Sequence, residues 1–154
     1  LRTLVAQDVA FVVIGGIALA AHGYVRGTKD VDIVPRPDTL NRTRLYAALT
    51  SIDAEPVEAG DLRPDELPVR FDPAGLEEGG NWALRTRHGR IDVMQWVSGI
   101  ESYDALDERA VLIELPGIGA VRFAGYDDLV AMKRAAGWAQ DRDDLQRLRE
   151  ARAD

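Results

Sequence analysis

The sequence contains no cysteine. That excludes disulfides, thiolate zinc sites and a cysteine nucleophile, and it agrees with a reducing, cytoplasmic setting. Histidine is almost as scarce, with His22 and His88 the two present. Any metal site must then rest on carboxylates, and oxygen-rich sites suit Mg²⁺ or Mn²⁺ better than zinc. Long apolar runs are missing too. The longest, Val9 to Ala21, is broken by Gly15 and Gly16 and is too short to span a bilayer, so no membrane partner is expected. No basic stretch and small-residue cleavage site precede it, and no signal peptide is expected either. Positive charge is in deficit: 19 Lys and Arg against 26 Asp and Glu give a net −7. A uniformly acidic surface disfavours broad contact with nucleic acid, which needs many cations against phosphates.

What is present is an ordinary globular composition, 46% hydrophobic and 29% charged over 154 residues, enough for one core in one domain. Leu1 to Gln7 reads as the last turns of a helix, and Ala10 to Ile14 as a buried strand. Ile17 to His22 is a short helix ended by Gly23, and Val31 to Val34 a second strand stopped by Pro35 and Pro37. Asp38 caps a helix from Thr39 to about Ser51. The stretch from Ile52 to Gly80 is rich in Pro, Gly and acids, with a short strand expected near Val69 to Phe71. Trp82 to Arg87 and Arg90 to Val97 form a hairpin about His88-Gly89, followed by a helix from Ser102 to Ala110. Val111 to Leu115 and Ala120 to Phe123 form a second hairpin, and helices Tyr126 to Gly137 and Asp141 to Ala151 close the chain. Without a repeat, linker or low-complexity run, the expectation is a single α+β domain spanning residues 1–154.

The chemistry concentrates in Val13 to Pro35, VIGGIALAAHGYVRGTKDVDIVP. Strand side chains alternate faces, so Asp30 and Asp32 point the same way while Val31 and Ile33 face the core. Two carboxylates roughly 6–7 Å apart on one strand face repel unless a positive charge lies between them, and a divalent cation is the natural one. Gly15-Gly16 leaves backbone N–H groups uncovered at a helix start, where phosphate is favoured. Metal-binding carboxylates beside a phosphate cradle point to phosphoryl or nucleotidyl transfer.

The segment resembles the signature of the nucleotidyltransferase superfamily, in which Gly-Gly or Gly-Ser is followed by Asp-hydrophobic-Asp/Glu. Here thirteen residues, Ile17 to Lys29, separate Gly15-Gly16 from Asp30-Val31-Asp32. The words HGYVRGTKDVDI further resemble small bacterial nucleotidyltransferases, including enzymes of toxin–antitoxin pairs. The resemblance implies a mixed β-sheet flanked by helices and a third carboxylate on a later strand, for which Arg90-Ile91-Asp92-Val93-Met94 fits. Asp128 to Lys133 followed by Asp141 to Leu145 is similar to that family's closing helices, although Trp138 and Gln140 stand where relatives often carry Arg and Lys.

On that resemblance, Asp30, Asp32 and Asp92 are the catalytic and metal-binding residues. Asp30 and Asp32 would hold Mg²⁺ against the β- and γ-phosphates, and with Asp92 a second ion near the acceptor. Asp92 is also available as the general base. Gly15, Gly16, Arg26, Thr28 and Lys133 are the expected nucleotide-binding residues. The acceptor is open between a small molecule, a protein and a tRNA end, with the acidic charge ranking tRNA lower. A second subunit or cognate partner protein would complete the acceptor site.

Each residue also has a plainer role open to it. Asp92 can pair with Arg90 or Arg85, and Lys133 with Asp128 or Asp141. The glycines can serve helix–strand packing, and Arg26, Thr28 and Lys29 can belong to a solvated loop. His22 is expected to be structural. Trp82, Trp96 and Trp138 are expected in the core or an interface, with one of them available to stack a base. The competing functional readings are a non-catalytic nucleotide-binding or interaction module and a toxin-like transferase controlled by an antitoxin.

Overall fold

Phe11–Ile14 forms strand β1, and all four of its residues are buried. The β-branched run needs cover on both faces, which a central position in a sheet provides. The protein is seen here as a computed structural model that describes residues 1–57 and 70–153. Helix α1 is Arg2–Ala6. Helix α2, Gly15–Ala20, follows β1 with no loop between. It starts on the glycine pair rather than after it, because Gly15 takes φ +65 and turns the chain from strand into helix.

Strand β2 is Asp30–Pro35, and helix α3 is Thr39–Thr50. Pro35 is the last residue of β2 rather than a stop beyond it. Asp38 caps α3 as expected, its side chain accepting from Asn41 N–H at 2.8 Å. Asn41 ties this corner together. Its amide donates to the carbonyls of Ala10 and Arg36, and its Oδ1 accepts from Ala10 N–H.

Two elements in the middle were not legible: strand β3, Glu55–Pro56, and helix α4, Pro73–Glu78. The strand expected near Val69 to Phe71 is not found at Arg70 and Phe71, and Val69 lies outside the described residues. Phe71 instead packs its ring against Tyr46 and Trp82, with centroids 5.7 and 5.5 Å away. Its apolar character serves a side-chain cluster, and Asp72 then caps α4.

The hairpins are β4, Asn81–Thr86, with β5, Gly89–Met94, and β6, Val111–Leu115, with β7, Gly119–Phe123. β5 is shorter than expected, since Gln95 to Val97 leave the sheet. Helix α5, Tyr103–Glu108, is capped by Ser102. Helices α6, Tyr126–Ala136, and α7, Ala139–Ala153, close the chain. Gly137 ends α6 in the left-handed conformation.

Among the described residues the sheet runs β3-β4-β5-β2-β1-β7-β6. It is mixed: β2–β5 and β1–β7 are parallel, and the other neighbouring pairs are antiparallel. This is the α+β architecture expected from the sequence. None of the described helices is long and apolar enough to cross a membrane.

Candidate active site

One register fixes the site. β2 and β5 run parallel with Asp30 opposite Arg90, Val31 opposite Ile91 and Asp32 opposite Asp92. Residues opposite each other on neighbouring strands share a face, so Asp30, Asp32 and Asp92 lie on one face. Asp32 and Asp92 are far apart in the chain, and the sheet makes them neighbours.

The acids feel one another. Burial, then Asp92, then Asp30 push the Asp32 carboxyl up to about 6, with Lys133 and Arg26 opposing the rise. Asp92 is also held above the usual carboxylate range, by burial first and Asp30 second, with Arg90 pulling the other way. Asp92 Oδ1 is buried without a hydrogen-bond partner. The arginines do not settle on Asp92: Arg90 Nε approaches Asp30 Oδ1 at 3.4 Å, and Arg85 pairs loosely with Glu55 at 3.9 Å. Arg90 and Arg85 belong to β5 and β4, and in the pleat it is Asp30, not Asp92, that lies opposite Arg90.

The glycine pair packs directly against these groups. A Cβ at Gly15 would land on the Asp32 carboxylate. One at Gly16 would come within 3.0 Å of Thr28 Cβ and 3.3 Å of Arg26 Nη2. Both glycines are therefore needed for close approach, and they bring the start of α2 against Asp32, Arg26 and Thr28. The Thr28 hydroxyl donates to the Asp30 carbonyl at 3.1 Å, which shapes the loop entering β2.

These residues open onto a cleft of about 750 Å³, lined by Gly15, Gly16, Arg26, Thr28, Asp30, Asp32 and Lys133 among others. Asp92 is not part of its wall; it sits beside Asp32 on the neighbouring strand. Trp96 and Trp138 also line the cleft and are 78% and 74% exposed. They are thus surface residues of the cleft rather than core, whereas Trp82 is buried as expected. A large exposed indole is costly to hydrate and is a natural stacking surface. Their position follows from element ends: Trp96 lies just past β5 and Trp138 just before α7.

Lys133 does not project freely. Its ammonium donates to Asp141 Oδ1 and forms an ion pair with Asp144 Oδ2, both at 2.7 Å, and Arg26 Nε pairs with Asp144 Oδ1 at 3.0 Å. Spacing along the chain suggests Asp141 as a partner for Lys133 but leaves Asp144 out. Acids three apart on a helix share one face, but that spacing does not say which cations the face meets. His22 is structural as expected, its Nε2 hydrogen-bonding to the Ala124 carbonyl at 2.8 Å.

For a divalent cation, the donor set fits in charge and type: three mutually repelling carboxylates, two of which, Asp30 and Asp92, have a buried Oδ1 without a hydrogen-bond partner. Among the described residues no three acidic or histidine side chains are already gathered to ligating distance. The carboxylates would have to turn toward an ion to hold it.

No protein-family model and no curated protein matches the chain. Among solved structures it is similar to the crystal structure of ANT(2″)-Ia in complex with adenylyl-2″-tobramycin, with a TM-score of 0.55 and 12% identity, covering 97% of this chain and 81% of that one. It is likewise similar to the solution structure of the antibiotic-resistance factor ANT(2″)-Ia, with a TM-score of 0.54 and 12% identity, covering 98% and 84%. The fold is nucleotidyltransferase-like.

Proposed function

We propose that this protein transfers a nucleoside monophosphate from a nucleoside triphosphate to an acceptor hydroxyl, releasing pyrophosphate. The observation that carries the proposal is the β2–β5 register, which gathers Asp30, Asp32 and Asp92 on one face beside a glycine-walled cleft. Such a concentration of only partly neutralised negative charge disfavours the empty site and is relieved by a bound divalent cation. The likeness in fold to ANT(2″)-Ia supports the same reaction class.

In this reading Asp30, Asp32 and Asp92 would hold Mg²⁺ or Mn²⁺, which supplies neutralisation of the triphosphate's charge when bound. The chain's own groups do the rest. Backbone N–H groups at Gly15-Gly16, with Arg26 and Lys133, take up the phosphate oxygens and the charge that develops on them. Asp92, beside Asp32 on the neighbouring strand, receives the acceptor's proton as its oxygen attacks the α-phosphorus. The bond from the α-phosphorus to the bridging oxygen breaks, and pyrophosphate leaves with that electron pair. Trp96 or Trp138 stacks the base or a ring of the acceptor.

For the acceptor we propose a hydroxyl-bearing small molecule, preferably cationic, as an amino sugar is. The net charge of −7 favours such a partner over a polyanion, and the ANT(2″)-Ia crystal structure holds adenylyl-2″-tobramycin. The likeness to toxin–antitoxin enzymes rests on the HGYVRGTKDVDI words alone. One observation favours a second reading, a non-catalytic nucleotide-binding or interaction module. Asp30 is approached by Arg90, and Lys133 is shared by two aspartates, so part of the charge is spent internally.

The test is incubation with each of the four NTPs, Mg²⁺ and a panel of amino sugars, followed by mass spectrometry and pyrophosphate measurement. Transfer predicts acceptor mass increased by one nucleoside monophosphate and matching pyrophosphate. Triphosphate binding without any pyrophosphate, across the panel and in the presence of cell-derived small molecules, would support the module instead.

A further inference from the structure

Asp144 is the most buried charged side chain of the cleft's surroundings, 1% exposed, yet the proposed chemistry gives it no part. It lies on α7, and its two oxygens reach two cations from two other parts of the fold. One is Arg26 in the loop before β2, at 3.0 Å; the other is Lys133 on α6, at 2.7 Å. A buried carboxylate is retained at the cost of desolvation, and the ion pairs offset that cost only with good geometry.

The donor count shows what the arrangement leaves over. A lysine ammonium has three N–H groups. Lys133 gives one to Asp141 and meets Asp144 as an ion pair without hydrogen-bond geometry, so at least one remains. Arg26 sets Nε against Asp144 and gives Nη1 to the Gly27 carbonyl at 3.1 Å. Its Nη2 end stays beside Gly16, where a Cβ would sit 3.3 Å from it. Both cations line the cleft with Gly15 and Gly16. Asp144 thus engages both cations at once, while Arg26 Nη2, beside Gly16, and one Lys133 N–H are left over for a ligand. Asp141 strengthens one half of the grip, and its second oxygen accepts from Trp138 N–H at 3.1 Å, anchoring the start of α7.

We propose that Asp144 is a positioning residue that presets Arg26 and Lys133 for the triphosphate, making α7 part of the nucleotide site. It touches no substrate and acts through the two cations. This rests on the nucleotidyl-transfer reading. A merely structural Asp144 would contribute to folding alone, and its loss would leave the affinity of the folded protein unchanged.

The experiment is calorimetric titration of the Mg²⁺ complexes of ATP, GTP, CTP and UTP into the folded wild type. The tightest binder is then titrated into Asp144→Asn, Arg26→Ala with Lys133→Ala, and the triple variant. The expected result is a loss of about ten- to a hundredfold in affinity for Asp144→Asn, the scale of one or two hydrogen bonds to charged groups. No further loss is expected when it is added to the Arg26/Lys133 double variant. Equal affinity of Asp144→Asn and wild type, or a full additional loss in the triple variant, would overturn the positioning role while leaving the transfer reading standing. Absence of binding by the wild type would overturn both. Should Asp144→Asn not fold, Arg26→Lys decides the same question. It keeps the charge but loses the fork that lets one group face Asp144 and the glycines together. It is expected to lose most of what Arg26→Ala loses, and wild-type affinity there would contradict the proposal.

Discussion

Two groups of aspartates lie in and around the same cleft, and the fold treats them in opposite ways. Asp141 and Asp144 on α7 meet Lys133 at 2.7 Å, and Asp144 also meets Arg26 at 3.0 Å. Asp30, Asp32 and Asp92 on the sheet meet mainly one another, with one loose arginine contact at 3.4 Å among them. The first group is charge-balanced and holds helices together. The second is held at a cost, visible as the Asp32 carboxyl lifted to about 6 by burial first and by Asp92 and Asp30 after it. Residue type is the same in both, so the role of each acid is set by the neighbours that register and helix packing supply. Balanced acids hold the protein together; under the proposed function the unbalanced ones are kept for a ligand.

The contrast is open to direct attack by substitution. The largest effect expected is on turnover. Asp32→Asn should lower nucleotidyl transfer by about a hundredfold or more, measured as pyrophosphate release at saturating NTP. Gly15→Ala should do nearly as much, because the added Cβ lands on the same carboxylate. Next in size is a difference of sign in stability. Asp144→Asn should destabilise the ligand-free protein by about 3 kcal/mol in urea unfolding, since it leaves two cations poorly matched in a buried place. Asp32→Asn should stabilise it at pH 7 by about 1–2 kcal/mol, the lifted carboxyl discounted for its partial exposure. A loss of stability on Asp32→Asn would mean that the sheet acids are balanced after all.

The same shift predicts a pH signature. The folded protein holds the Asp32 proton more tightly than the unfolded chain, so from this group stability falls as pH rises from about 4 to about 6. The penalty is fully present above about 6 and absent below about 4. Asp92 acts in the same direction. Between about pH 4 and 7, the stability gained by Asp32→Asn should therefore grow with pH and level off above about 6. The smallest stability effect concerns the exposed indoles. Trp96→Ala and Trp138→Ala should each change stability by less than about 0.5 kcal/mol. At least one should weaken triphosphate or acceptor binding several-fold by calorimetry. Unchanged binding in both would remove the stacking role.

Much of this was legible in the sequence, for identifiable reasons. β1, β2 and the hairpins announce themselves through β-branched runs punctuated by Gly and Pro, and Asp38 and Gly137 mark their helix ends by cap chemistry. The alternation of Asp30, Val31 and Asp32 placed two acids on one face, and the family resemblance suggested Asp92 as the third. Three things were hidden. Phe71 looked like strand material but serves a three-ring cluster, a tertiary role that local composition does not encode. Trp96 and Trp138 share their residue type with buried Trp82, and only their places at element ends expose them. Asp144 depends on how α7 crosses α6 and the loop before β2, which no spacing within one helix specifies.

The most direct test of the central claim is calorimetric titration of Mg²⁺–NTP into wild type and Asp32→Asn, each with and without excess EDTA. The account predicts binding by the wild type that EDTA abolishes and that Asp32→Asn, though folded, has lost. Equal, metal-independent binding by both proteins would contradict it, because the three sheet aspartates would then have no part in holding the nucleotide.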